Sequence, residues 1–320
     1  MDQLVSRLLL YGDLGEEAIL SKLAALFQAW KGSSMPRQTL VRGIYHQVKG
    51  LLDLATEYGF DENLWQNYLT FLLMTNENSF SLITERVGAQ DGSVNHFARN
   101  DFRVFRALFH YDFSAVEGDL NLDCFTTLSH YKAIAKHGRR YNQNVSEKVR
   151  DLSRRLAAAP DDETFFRLVT EHYRQYGVGM LGLNKAFRIQ SGPEGIGFIP
   201  IYNTDKVMLR DLVGYESQKA QLRHNTEAFL AGRSANNALL YGDAGTGKSS
   251  SVKAIANEFA PEGLRLVEVK KNQLYQIPDL MDKLAANPLK FILFIDDLSF
   301  TANDDNFAAL KAILEGSVGG

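Results

Sequence analysis

Gly242-Asp243-Ala244-Gly245-Thr246-Gly247-Lys248-Ser249 fits the pattern G-x-x-x-x-G-K-[ST]. Each fixed position has a chemical reason. The glycines let the backbone curl, so that successive N–H groups converge on phosphate oxygens. A helix that starts behind the loop turns its positive end toward the same anion. Lys248 is placed to reach the β- and γ-phosphates of a triphosphate, and Ser249 to offer its hydroxyl to Mg2+. The flanks agree with this reading. Asn237-Ala238-Leu239-Leu240-Tyr241 reads as a short buried strand. Val252, Ile255, Ala256 and Phe259 recur at helical spacing behind the loop. The phosphate-binding set is Gly242, Asp243, Ala244, Gly245, Thr246, Gly247, Lys248 and Ser249. Ser250 joins it by position, as a first-turn helix residue beside Ser251.

A second motif lies downstream. Phe291-Ile292-Leu293-Phe294-Ile295 is a continuous apolar run followed by Asp296 and Asp297. Such a run predicts a central parallel strand covered on both faces, with its carboxylates at the end where open α/β sheets bind ligands. Two aspartates at a strand end can also cap the next helix. With Lys248 and Ser249 upstream, they read as a metal-side pair: Asp296 as the Mg2+ partner through water, and Asp297 as a catalytic, water-activating carboxylate. Residues 264–269 read as a strand, Pro278 opens a short helix, and residues 303–314 read as another helix. This alternation predicts a doubly wound α/β domain built on a parallel sheet.

Upstream, residues 1–187 read as an α-helical domain. Apolar stripes at helical spacing run over residues 17–30, from Pro36 toward Gly59, through Leu64, Tyr68, Phe71 and Leu72, over residues 94–113, and over 145–156 and 161–176. Asp161 sits where an N-terminal cap belongs. The many Phe and Tyr residues fall at core spacing, which favours packing over base stacking. The basic stretch His137, Arg139, Arg140, Arg150, Arg154 and Arg155 reads as a solvated helix face or a polyanion patch. Gly177-Val178-Gly179-Met180-Leu181-Gly182 lacks the lysine and the preceding strand of a phosphate loop, and reads as a connector. Residues 188–202, rich in glycine and proline, read as a linker, and residues 203–320 as the nucleotide-binding domain.

Composition bounds the rest. The chain has 320 residues, 45% hydrophobic and 23% charged, which suits two globular domains. A net charge of −3 argues against a chain built overall for nucleic acid. The single cysteine, Cys124, forbids an internal disulfide and reads as an inert core thiol. No histidine cluster has metal spacing. No apolar run approaches the roughly 20 residues of a membrane span, so a cytoplasmic protein without membrane partners is expected.

Taken together, these motifs resemble those of AAA+-type ATPases, with Gly242–Ser249 as Walker A and the strand ending in Asp296 as Walker B. More narrowly, the chain resembles a bacterial family of predicted AAA+ ATPases classed as a domain of unknown function. The resemblance is carried by Asp211-Leu212-Val213-Gly214-Tyr215-Glu216, by Asn236 through Ser250, by Phe291 through Phe300 and by Leu310 through Gly316. It also touches the helical half, at Tyr111-Asp112-Phe113 and Leu183 through Arg188. It implies that Leu212, Val213 and Gly214 pack on adenine, that the ligands are ATP and Mg2+, and that the module forms a homo-oligomer. It implies as well a macromolecular partner, protein or DNA, met by the helical domain. Two departures stand out. The usual glutamate after the Walker B aspartate is Asp297, one methylene shorter, and a displacement of roughly 1 Å at a catalytic group can cost on the order of a hundredfold in rate. The family's sensor strand, arginine finger, fifth strand and helical lid do not follow within Gly320. The sequence is therefore expected to be a piece of a longer module, with its loop strand and Walker B strand lacking the strand between them, and poorly active by itself.

The resulting expectation is Mg2+-dependent ATP hydrolysis coupled to assembly or remodelling of a partner. The alternative is a nucleotide-sensing switch or scaffold with negligible turnover. A P-loop kinase or GTPase is disfavoured, because no Asn-Lys-x-Asp motif follows the loop and the paired aspartates favour hydrolysis.

Overall fold

The chain is described from a computed structural model that covers residues 1–134, 143–193, 195–201 and 207–298, with five further helical positions between 308 and 314. It divides into two units, Met1–Leu183 and Asn184–Gly320.

The first unit is helical: α1 (Asp2–Val5), α2 (Ile19–Lys31), α3 (Arg37–Tyr58), α4 (Leu64–Thr75), α5 (Ser79–Val87), α6 (Val94–Phe109), α7 (Ser114–Leu120), α8 (Cys124–Ser129), α9 (Gln143–Ala157), α10 (Asp162–Tyr176) and α11 (Gly179–Leu183). Local chemistry sets the boundaries. Asp161 caps α10 by accepting from Thr164 N at 2.7 Å, and Gly59, at φ 67°, ends α3 in the left-handed region. Asn63 caps α4, and Asn78 exchanges hydrogen bonds with Ser81 at the start of α5. The stripe over residues 94–113 is not one helix. It stops at Phe109, because Asp112 captures Ser114 N at 2.9 Å and opens α7 instead.

The aromatic residues form the core. Phe113 stacks on Phe125 with centroids 4.2 Å apart, while Phe102, Phe105 and Phe165 are fully buried. Cys124 packs at the edge of this core. Burial, and then the Glu117 charge, push its thiol up to about 11, away from reactivity. Arg154 and Arg155 pair with Glu62, Asp151 and Glu171, as residues of a solvated face do. His137, Arg139 and Arg140 lie outside the described residues. The glycine-rich connector is locked rather than loose. Val178 N donates to the buried Glu85 carboxylate at 2.9 Å, and a Cβ on Gly182 would lie 2.6 Å from the Gly177 carbonyl carbon. No described helix is long and apolar enough to cross a membrane.

His172 on α10 is buried, and among the described residues nothing bonds its Nε2. Burial, reinforced by the Lys148 and Arg155 charges, lowers its pKa from 6.5 to about 3. The unfolded chain therefore takes up a proton below pH 6.5 that the folded chain refuses. This contribution to stability is full above the unfolded pKa and is lost as pH falls toward the folded one, by about 1.4 kcal/mol per pH unit. Urea midpoints at pH 7 and pH 5 should separate less in His172→Leu than in the native chain; equal separations would contradict this.

The second unit is built on a four-stranded sheet. Its elements are β1 (Ala186–Gly192), β2 (Gly195–Pro200), α12 (Glu216–Leu230), α13 (Lys248–Phe259), β3 (Leu264–Glu268), α14 (Ile277–Ala285) and β4 (Lys290–Phe294), and the strand order is β2-β1-β3-β4. β3 runs parallel to β4, with Leu266 opposite Ile292, and parallel to β1, with Ala186 opposite Leu266. β2 is antiparallel to β1. Period-2 alternation covers both faces. Val267, Leu293 and Ile189 face α14 through Ile277, Leu280 and Leu284; Leu266, Ala186 and Ile292 face α13 through Val252 and Ala256.

Four expectations are corrected. The sheet is mixed rather than all parallel, because β2 turns back on β1. The stretch 188–202, read as a linker, holds most of this hairpin. Its glycines lie at the turn (Gly192 opposite Gly195) and on the exposed face, while Ile196 and Phe198 pack inward. Residues 237–241 are not a strand, and Leu239 and Tyr241 are 77% and 87% exposed. An apolar run becomes a strand only when a neighbour shares its ladder, and among the described residues none does. β4, expected at the sheet centre, is for the same reason an edge of the described sheet, and its apolar residues are only half-buried. The helix expected over 303–314 lies mostly outside the described residues; its described positions Leu310 and Ile313 pack on the α14 face of the sheet.

Candidate functional site

The loop over residues 242–247 can take its shape only because of its glycines. Gly242, Gly245 and Gly247 have φ of 141°, 79° and 85°, values that L side chains rarely adopt. Gly247 is the N-cap of α13, so the loop opens directly onto a helix of twelve residues. Ser251 fastens that junction, its Oγ donating to Gly247 O at 2.8 Å. Ala244 and Ser250 lie on the loop and on the first turn of α13, respectively.

Lys248, the first residue of α13, turns back over the loop. Its Nζ donates to Gly242 O at 2.9 Å and to Asp243 O at 2.6 Å, and lies 3.5 Å from Thr246 Oγ1. Thr246 Oγ1 itself donates to Asp243 O at 2.9 Å. The ammonium is thus held over the loop by neutral oxygens, among the described residues no carboxylate pairs with it, and its charge stays available to an anion.

Ser249 and Asp296, forty-seven residues apart in sequence, meet. Ser249 Oγ donates to the Asp296 carboxylate, 2.9 Å from Oδ1 and 3.0 Å from Oδ2. The sheet makes this possible: β3 places β4 beside α13, and the chain leaving β4 delivers Asp296 to the helix start. Asp297 follows with φ 56°, and its N–H donates to Asp296 Oδ1 at 3.1 Å. A non-glycine residue held in the left-handed region at a strand end is a form of backbone strain that clusters at functional sites. A hydroxyl and a carboxylate in contact are hard oxygen donors of the kind Mg2+ takes, with water completing its shell. On that test the residues fit the ion.

Leu212, Val213 and Gly214 sit between a short 3-10 turn (Leu209–Asp211) and α12. Leu212 is anchored in a cluster with Leu209, Ile255 and Phe259, the last two from α13. Val213 is 96% exposed, and Gly214 has φ 80°. The 3-10 turn is tied on by Asn257, whose Nδ2 donates to Val207 O at 3.0 Å. The loop and this segment are therefore both carried by α13. Sequence reasoning passed over Lys219, which donates to Leu212 O at 2.7 Å; its spacing from Leu212 carries no periodic signal.

A glycine loop on a helix N-terminus, with a hydroxyl and a strand-end carboxylate in contact beside it, is the arrangement of phosphate-binding α/β domains. Comparison with known proteins agrees. Residues 183–320 match the family described as "Protein of unknown function (DUF815)". The chain is also similar to the replication factor C large subunit of Staphylothermus marinus, 35% identical over 135 residues, which cover 38% of this chain and 30% of that protein. The chain therefore matches less than a third of that relative's length. No solved structure matches. The chain resembles AAA+-type ATPases.

Proposed function

We propose that the unit Asn184–Gly320 binds ATP with Mg2+ at residues 242–250 and Asp296, and that the protein hydrolyses it slowly to drive assembly or remodelling of a macromolecular partner. One observation carries this reading: Ser249 and Asp296 lie in hydrogen-bond contact at the start of α13, beside Lys248. In this reading the backbone amides of the loop and the positive end of α13 hold the β- and γ-phosphates, and Lys248 leaves its carbonyl partners for them. Ser249 and Asp296 hold Mg2+, which when bound neutralises the charge that builds on the transferred phosphoryl group. Leu212, Val213 and Gly214 carry the adenine. Asp297 orients the attacking water and accepts its proton. The helical unit Met1–Leu183 supplies contacts to a protein or DNA partner, and copies of the chain associate through the nucleotide module.

The shortness of Asp297, together with its left-handed backbone, favours the second reading, a switch that responds to bound nucleotide with negligible turnover. Phosphate release from Mg·ATP by the full-length protein separates the two. Asp297→Asn should lower turnover by about a hundredfold while leaving Mg·ATP affinity within about twofold, since the side chain acts on water and not on the phosphates. Turnover equal to that of the native protein would remove Asp297 from the chemistry.

A further inference from the structure

Most aromatic side chains of the helical unit are buried in its core. Tyr45 on α3 is not; it is 48% exposed. It lines an open concavity of about 550 Å3 together with Arg37, Gln38, Val41 and Arg42. At 3.6 residues per turn these five span an arc of about 140°, with Arg37 and Arg42 at its two edges and Val41 and Tyr45 between them. The side chains of Gln38, Arg42 and Tyr45 make no hydrogen bond or ion pair among the described residues. Arg37 meets Asp119 at 3.9 Å, with both side chains more than half exposed, so water screens the pair and it holds the guanidinium weakly. Both arginines are thus charges without a committed partner. They stand about 7.5 Å apart along the helix axis, close to the rise of two nucleotides in a stacked strand, about 6.8 Å. The positive end of α3 adds to their field, because the helix starts at Arg37.

We infer that this face of α3 binds single-stranded DNA: Arg37 and Arg42 fork onto phosphates of the strand, Tyr45 stacks on a base between them, and Gln38 meets that base's edge. The inference rests on the reading that the helical unit meets the partner, and it uses no residue of the nucleotide site. Charge and shape select this occupant. The lining consists mainly of planar polar groups, which fork onto phosphates and stack on rings. A docking helix would need a longer apolar stripe. A duplex keeps its base faces inside the stack, out of reach of Tyr45. RNA sites set a group aside for the ribose 2′-hydroxyl, whereas phosphates, ring face and base edge use all four groups here. Two phosphate contacts on a chain of net charge −3 give a modest, salt-sensitive affinity.

The test is fluorescence anisotropy of the full-length protein with a labelled oligo-dT of about fifteen nucleotides, with Mg·ATP uptake read on the same samples. Native affinity should fall about fivefold between about 50 and 150 mM salt, the effect of two phosphates. Arg37→Gln combined with Arg42→Gln should weaken strand binding about tenfold or more and flatten the salt dependence. Tyr45→Ala should weaken it about fivefold or more, and Tyr45→Phe less than about twofold, since the ring remains. All these side chains are exposed, so the variants keep the fold, and Mg·ATP uptake should not change. A double arginine variant that binds the strand as the native protein does would overturn the inference. Native protein that takes up Mg·ATP but no strand at low salt would overturn it and leave the nucleotide site standing. Poly-glutamate bound more tightly than the strand, and lost in the double variant, would overturn it in favour of an acidic protein partner. Oligo-U RNA bound about tenfold more tightly than oligo-dT would overturn it in favour of RNA.

Discussion

Lys248→Ala should lose Mg·ATP binding by a hundredfold or more while leaving the fold intact. The ammonium is the one fixed positive charge on the loop, and its present partners are two backbone carbonyls and a threonine hydroxyl. Against a triphosphate at about 4 Å, one such charge is worth about 4 kcal/mol at the effective dielectric of a protein surface. Part of this is spent on releasing the carbonyls, which leaves about 3 kcal/mol, or roughly a hundredfold. Stability should change little, because the side chain is half-exposed and, among the described residues, pairs with no carboxylate; surface substitutions of this kind usually stay within about 0.5 kcal/mol. Titration calorimetry and a thermal melt on the same sample check both halves. Undiminished binding in the variant would remove Lys248 from the phosphate site.

Asp101→Ala should cost the helical unit about 3–5 kcal/mol, the scale set when the partner of buried charge-assisted bonds is removed. Asp101 on α6 is fully buried. Its carboxylate accepts from Leu9 N at 3.0 Å, Leu10 N at 2.8 Å and Tyr11 N at 2.9 Å, and so holds the N-terminal segment on the core. Behind it, the buried Tyr11 hydroxyl meets Tyr173 at 2.7 Å, and Tyr173 donates to Leu73 O. Alanine leaves the three amides without an acceptor. Asparagine keeps one carbonyl oxygen but turns an NH2 group on the same amides, and should fall in between. Urea midpoints measure the series; a loss below 1 kcal/mol for alanine would mean that water or a shifted backbone replaces the carboxylate.

These two residues mark how much the sequence discloses. The glycine loop that ends at Lys248 was legible because its chemistry is local: glycines at fixed spacing before a helix start determine where backbone amides point. The helix behind the loop, β3, the short helix after Pro278 and the Asp161 cap were legible for the same reason. Asp101 was not, since one aspartate in an amphipathic helix looks the same whether it faces water or three amides ninety residues away. Segment 237–241 illustrates the converse. Its apolar run states a preference for a strand, but a strand is a pairing, and the described sheet has no neighbour for it. The hairpin β1–β2 was hidden because glycine and proline were read as breakers, while Ile196 and Phe198, two apart and facing inward, carried the strand signal. The contact between Ser249 and Asp296 was expected from the motifs, although only the parallel pairing of β3 with β4 brings it about.

In the proposed site, Lys248, Ser249 and Asp296 act together on one magnesium-bound triphosphate. Its most direct measurement is titration of the full-length protein with ATP, first with excess Mg2+ and then with EDTA. Saturable uptake of one nucleotide per chain is expected with Mg2+, and affinity at least tenfold weaker without it, a difference that Asp296→Asn narrows. No uptake in the presence of Mg2+, or the same affinity with and without the ion, would contradict it.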